Sequence, residues 1–259
     1  MKIIGIDGYN SFLGNNFISK YEKSLKIFKF NGDINNIKDI KKFINKKKIN
    51  IFIRIASLSR SSCEENKIKC YKTNYLANKR LVDYLIKKKI KLIFLSTSHV
   101  YKTSKKKLNE KSPTKPQNKY SLYKLKTENY IKKKLQNYLI IRSFNIYGKN
   151  QKLGFFIPDM RKKILSSENI IINNSFRDFI KVDEVSRFIR FSIIKNINGI
   201  INLGTGQSIS LKKIILSISK KTNKKVKLIV NKKKDKFVNN ILSLKKIGFN
   251  FKYEKNFNI

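Results

Sequence analysis

Tyr120 and Lys124 form the residue pair in this chain best suited to acid/base work. Four residues apart, they share one face of a helix. A free phenol titrates near about 10 and is a poor base at neutral pH. A neighbouring ammonium favours the phenolate. In a chain with 60 Lys and Arg the spacing also recurs by chance, so it carries weight only in combination. Ser96-Thr97-Ser98-His99-Val100-Tyr101 closes an apolar run with hydroxyls, at the strand end where α/β sheets meet ligands. A plain strand cap is the competing reading. Gly8-Tyr9-Asn10-Ser11-Phe12-Leu13-Gly14 is a third candidate, a G-x-x-S-x-x-G turn after an apolar run. Between strand and helix, such a turn lets backbone N–H groups approach a pyrophosphate. An ordinary glycine turn competes with it.

Other chemistries are bounded by what is scarce. His99 is the single histidine, which excludes a multi-histidine metal site and leaves little for a Ser-His-Asp or Cys-His machine. Cys63 and Cys70 match no common zinc spacing, and we expect both as reduced thiols. No run reaches the roughly 20 apolar residues of a membrane helix. The start, MKIIGIDGYN, lacks a secretory pattern, so a cytoplasmic enzyme is the expectation. The 60 basic residues oppose 16 acids, for a formal charge of +44. Such a field attracts nucleic acid, anionic membrane or phosphorylated small molecules. The excess is mostly lysine, with abundant Asn and Ile, as an AT-rich genome favours. The KKK runs are scattered and lack interleaved aromatics. Solvated faces are therefore the main reading, and a polyanion partner such as RNA the lesser one.

The elements that must position these residues alternate in type. Strands are expected at 2–6, 25–30, 49–57, 90–98, 137–148 and 199–206. Helices are expected from about residue 11, and at 37–48, 71–88, 120–135, 183–195 and 211–222. The alternation predicts an α/β fold, a parallel sheet with helices on both faces.

Taken together and in order, these segments resemble the NAD-dependent epimerase/dehydratase family, the extended short-chain dehydrogenases. MKIIGIDGYNSFLG resembles the opening strand and phosphate loop, and GDI (32–34) the adenine-contacting segment. IRIAS (53–57) resembles the cofactor-lining strand end. FLSTSHVY, YSLYKLKTE, RSFNIYG, RDFIKVDEV, NLGTG and LSLKKIGF follow collinearly to the tail. The resemblance implies a Rossmann-type doubly wound parallel sheet with a small C-terminal substrate lobe. Residues 1–147 plus 178–206 would bind the dinucleotide, and 148–177 plus 207–259 the substrate. It implies catalytic roles for Thr97, Tyr120 and Lys124, the last holding the nicotinamide ribose and lowering the pKa of Tyr120. Gly8, Ser11, Phe12, Leu13, Gly14, Asp33, Ile34, Ala56, Asn74 and Lys124 would line NAD. Thr97, His99, Asn145 and Arg177 would hold a nucleotide-diphosphate sugar, the arginine matching phosphate geometry. A homodimer is implied as well.

The chain also departs from the family. Ser11 replaces the middle glycine of the loop, and Arg54 and Lys181 replace common histidines. Ser98 and His99 stand where dehydratases carry Asp-Glu, which argues against a dehydratase. Asp33 is the first acid after the second strand and serves either ribose or adenine. In the latter case Lys29 would welcome the 2′-phosphate of NADP. An epimerase or oxidoreductase is the leading expectation. A 4-ketoreductase resembling dTDP-4-dehydrorhamnose reductase, or a non-catalytic RNA-binding protein on the same fold, are the alternatives.

Overall fold

The structure, a computed structural model, describes residues 2–252. Its first half runs β1 (Ile3–Ile6), α1 (Phe12–Tyr21), β2 (Lys26–Lys29), α2 (Ile37–Lys47) and β3 (Ile51–Arg54), then the short α3 (Arg60–Glu65) and α4 (Lys67–Tyr71). After these come α5 (Ala77–Lys88), β4 (Lys91–Thr97), α6 (Lys119–Lys134) and β5 (Tyr138–Ser143). The remainder is β6 (Asn145–Tyr147), α7 (Phe156–Leu165), β7 (Ile170–Arg177), β8 (Phe179–Lys181), α8 (Val182–Ile194), β9 (Gly199–Leu203), β10 (Ile209–Ser210), α9 (Leu211–Thr222), β11 (Leu228–Phe237) and α10 (Leu242–Lys246).

The main sheet has the order β2-β1-β3-β4-β5-β9, every neighbouring pair parallel. Parallel strands covered on both faces read as continuous apolar runs, and all four residues of β3 are buried. Side chains alternate between two cores. Ile51 and Ile53 join Ile4, Ile6, Phe17 and Phe188 on one face, while Phe52 joins Leu81, Leu85 and Phe94 on the other. The chain leaves β1 toward β2 and later returns to β3 on the opposite side of β1. That reversal opens a crevice at the carboxyl ends of the strands, where α/β sheets bind ligands. The expected Rossmann-type parallel sheet is the one found.

Beyond Tyr147 the periodicity did not announce α7, β7 and β11. β7 is flanked by β10, antiparallel, and β11, parallel. Helices α7 and α9 cover this small sheet through Ile164, Ile170, Ile214 and Ile218. A two-stranded parallel pair, β6 and β8, places Asn145 beside Phe179. From the tail, Leu244 and Phe249 return to the first core.

Two local expectations are corrected. The helix read over 71–88 is interrupted by a π-helical turn at Lys72–Leu76. Cys63 and Cys70, expected as free thiols, are joined in a disulfide. Asn66 ends α3 and caps α4, and this tight corner brings the two Cα atoms to 4.8 Å. No spacing rule covers that pairing. Three of the KKK runs close α2, α5 and α6, where cations complement the helix dipole. Lys48 and Lys89 are the C-caps of α2 and α5, in left-handed conformation with φ of 52° and 54°. Among the described residues no helix is long and apolar enough to cross a membrane.

Candidate active site

The G-x-x-S-x-x-G segment folds as strand, turn and helix. Gly8 has φ of +61°, and a Cβ there would lie 2.8 Å from the Ala56 nitrogen. A Cβ on Gly14 would collide with the Gly8 carbonyl, so the first turn of α1 packs directly on the loop. Ser11, in place of a glycine, caps α1: its Oγ accepts the Gly14 N–H at 3.1 Å. The N–H groups of Phe12 and Leu13 remain at the helix start, the position that favours a phosphate. This cradle fits the pyrophosphate of a dinucleotide. Asp7 fastens it from below. It accepts the N–H groups of Ile55 and Ala56 at 2.8 and 2.9 Å and pairs with Arg54 at 2.5 Å. Both charges are buried, and Arg54 also donates to Asn78.

A cleft of about 340 Å³ opens above this loop, and Ser11, Phe12 and Leu13 line it together with Thr97, His99, Tyr120 and Asn145. Thr97 ends β4, and Tyr120 stands in the first turn of α6, which Asn118 caps by accepting the Ser121 N–H. Lys124, one turn on, is buried. Its Nζ donates to the Leu95 carbonyl at 2.7 Å and lies over the Phe94 and Tyr120 rings at 4.8 and 5.8 Å. Burial pushes the Tyr120 phenol up to about 12, opposed by a hydrogen bond with Thr97. Burial, reinforced by Arg54, lowers Lys124 to about 7. The expected depression of Tyr120 by Lys124 is therefore not found. Lys124 is held instead by the Leu95 carbonyl.

A buried network ties α6 to the sheet. Glu128 is fully buried, takes Arg142 Nη2 at 2.6 Å, and accepts the Ser96 hydroxyl. Arg142 continues to the Tyr101 hydroxyl at 2.7 Å, and Tyr101 donates to Asn202 at 2.7 Å. Glu128 stands one turn after Lys124 on the helix that carries Tyr120, so the network fastens that helix to β4 and β5.

Other expected site residues fall in different places. Asn145 lines the cleft and donates to the Asp178 carbonyl at 3.0 Å. His99 lines it too, and burial, with Arg177 and Arg60 nearby, lowers its pKa to about 4. Asn74 is buried behind the cleft wall. It exchanges hydrogen bonds with Leu58 and donates to Cys63 Sγ at 3.3 Å, so its contacts are structural. Asp33 is exposed and accepts from Asn35, and Ile34 packs against the second core. Lys29 is paired with Glu22 at 2.7 Å. Arg177 is paired with Asp235. The sequence reading missed Ser57, Arg60 and Gln151, which also line the cleft. A larger cavity of about 940 Å³ between α7 and α9 holds none of Thr97, Tyr120 or Lys124. Among the described residues no cluster of acidic, His or Cys groups could hold a metal.

Comparison with known proteins agrees with this geometry. The sequence model of the NAD dependent epimerase/dehydratase family matches residues 13–204. The chain is 27% identical over 230 residues to GDP-6-deoxy-D-talose 4-dehydrogenase of Aggregatibacter actinomycetemcomitans, covering 83% of this chain and 78% of that one. It is 33% identical over 146 residues to dTDP-4-dehydro-6-deoxyglucose reductase of Escherichia coli, covering 52% and 46%. In fold it is similar to UDP-glucose 4-epimerase of Thermus thermophilus in complex with NAD, with a TM-score of 0.83 at 16% identity over 98% and 95% of the chains.

Proposed function

Because the chain belongs to the NAD-dependent epimerase/dehydratase family, we propose that it uses NAD or NADP to move a hydride at a hydroxyl- or ketone-bearing carbon of a nucleotide-diphosphate sugar, with Tyr120 as the acid/base. The observation that carries this reading is a single cleft. The first turn of α1 and the Thr97–Tyr120 pair open into the same 340 Å³. A dinucleotide on the one and a sugar on the other would meet there.

The nicotinamide, when bound, supplies or accepts the hydride. The protein's part is proton management and placement. Thr97 hydrogen-bonds Tyr120 and can share the sugar oxygen with it. Tyr120 gives its proton to that oxygen in reduction and takes it back in oxidation. Lys124, titrating near neutrality, is suited to return the proton to the phenolate. Asn145 would orient the sugar, and Arg177 would bind the diphosphate. In this division residues 1–147 plus 178–206 serve the cofactor and 148–177 plus 207–259 the substrate; 253–259 lie outside the described residues. A homodimer is supported by an exposed surface around Ile68 and Tyr71, which abuts Tyr75 and Tyr123. Sedimentation of the purified chain tests it.

Within this class the epimerase and the ketoreductase differ in what happens to the cofactor. Two relatives bear names of 4-keto chemistry, a 4-dehydrogenase and a reductase. The deciding experiment denatures the purified protein and assays the supernatant for nicotinamide, alongside titration of the native protein with NADH and NADPH. Stoichiometric released NAD supports an epimerase with resident cofactor. Binding without a resident cofactor supports a ketoreductase. Failure of both forms to bind at millimolar concentration overturns the enzymatic reading.

A further inference from the structure

Acids are scarce in this chain, 16 against 60 Lys and Arg. One of them, Asp235, stands alone in Lys-Lys-Lys-Asp-Lys-Phe on β11. β11 runs beside β7 in a register that sets Asp235 opposite Ser175 and Phe237 opposite Arg177. The Asp235 carboxylate accepts a hydrogen bond from Arg177 Nη1, with the side chains 15% and 17% exposed. The same nitrogen donates to the Phe176 carbonyl at 2.9 Å. The guanidinium lies over the Phe237 ring at 5.0 Å, and His99, on the cleft wall, neighbours the same ring at 5.4 Å.

Three constraints thus fix the plane of one arginine: a carboxylate, a carbonyl and an aromatic face. All the hydrogen bonds involved fall on Nη1. The Nε–Nη2 edge, the side of a guanidinium that takes phosphate through two parallel hydrogen bonds, is left over. We propose that Asp235 is a positioning residue, anchoring Arg177 through Nη1 so that its Nε–Nη2 edge serves the substrate's diphosphate. This rests on the reading of Arg177 as the diphosphate ligand. A long arginine loses considerable rotamer freedom when it binds. Asp235 removes part of that loss in advance, and on this proposal the gain exceeds the repulsion between one carboxylate and the phosphates. The alternative, that Asp235 occupies Arg177 and blocks phosphate, predicts the opposite sign.

Calorimetric titration of UDP, GDP and dTDP into protein saturated with NADH or NADPH separates these cases. Arg177→Lys should weaken the tightest of the three by about tenfold, through loss of the fork. Asp235→Asn should weaken it by about fivefold and Asp235→Glu by less than about twofold. In the Arg177→Lys background, Asp235→Asn should add nothing, the signature of two residues acting as one unit. Affinity for the corresponding nucleoside and for the cofactor should be unchanged in every variant, which a general loss of structure would not produce. Should Asp235→Asn fail to fold, Asp235→Ser makes the same test. Unchanged or tighter binding in Asp235→Asn, with Arg177→Lys still weakened, overturns the role of Asp235 and leaves that of Arg177. An Arg177→Lys protein with wild-type affinity overturns both, as does a wild-type protein that binds none of the three.

Discussion

Replacing Tyr120 by Phe removes one oxygen from the cleft. On the proposed role of that oxygen as proton donor, we expect turnover to fall by about 10²–10⁴-fold, with cofactor affinity unchanged. Steady-state rates and a fluorescence titration of NADH or NADPH give both numbers. A variant keeping a tenth of its turnover would place proton transfer elsewhere. His99 makes a second prediction at this scale. Its folded pKa is about 4 against an ordinary 6.5, from burial and the nearby Arg177 and Arg60. It should therefore be neutral from pH 6 to 8, able both to donate and to accept a hydrogen bond. A histidine held neutral in the fold contributes stability that is complete above about 6.5 and is lost as pH falls toward 4, because the unfolded chain binds the proton first. Proton NMR of the lone imidazole checks this directly: a midpoint near 6.5 in the folded protein would refute it.

At the scale of elements, α6 carries Tyr120 and Lys124, and its height on the sheet depends on Glu128. Removing that carboxylate, in Glu128→Ala, leaves Arg142 buried without its partner. We expect a loss of about 3–5 kcal/mol, read from urea unfolding. A loss under about 1 kcal/mol would mean that other contacts set α6. This network also shows what could be read in advance. The strand–helix alternation to Gly148 was legible because buried parallel strands and amphipathic helices write different periods. So were Thr97, Tyr120 and the glycine loop, which depend on spacing along single elements. The small sheet was not legible. β11 spells LIVNKKKDKF, and its lysines mask the strand that Leu228 and Phe237 anchor. Nor was the Asp7–Arg54 pair, since Asp7 follows β1 while Arg54 ends β3, and nothing in their local sequence links them. The disulfide escaped notice because its closeness comes from a corner shared by two short helices. Asn74 resembles a cofactor contact by position, and its bonds to Leu58 and Cys63 come from packing that the sequence does not spell out.

At the scale of the whole molecule, the charge of +44 has a structural place. Lysines stand in the last turns of α2, α5, α6, α7, α9 and α10, where they meet the negative ends of helix dipoles. Lys20 and Lys69 stand likewise in the last turns of α1 and α4, so the charge is dispersed over many helix ends. Two of these lysines do something further. Lys48 and Lys89 hold the left-handed turns that end α2 and α5, a conformation in which a Cβ crowds the following carbonyl. Glycine at both positions should stabilise the fold by about 0.5–1 kcal/mol each after its own entropy is deducted, raising the melting temperature by a few degrees. A thermal melt of the double variant that shows no rise would mean the turns are already relaxed. Both sites lie in the connections at the amino ends of β3 and β4, opposite the strand ends that form the cleft. A sturdier preparation for crystallisation or prolonged assay is therefore open to anyone handling this protein, reached through two turns remote from the cleft and without any alteration to the residues that line it.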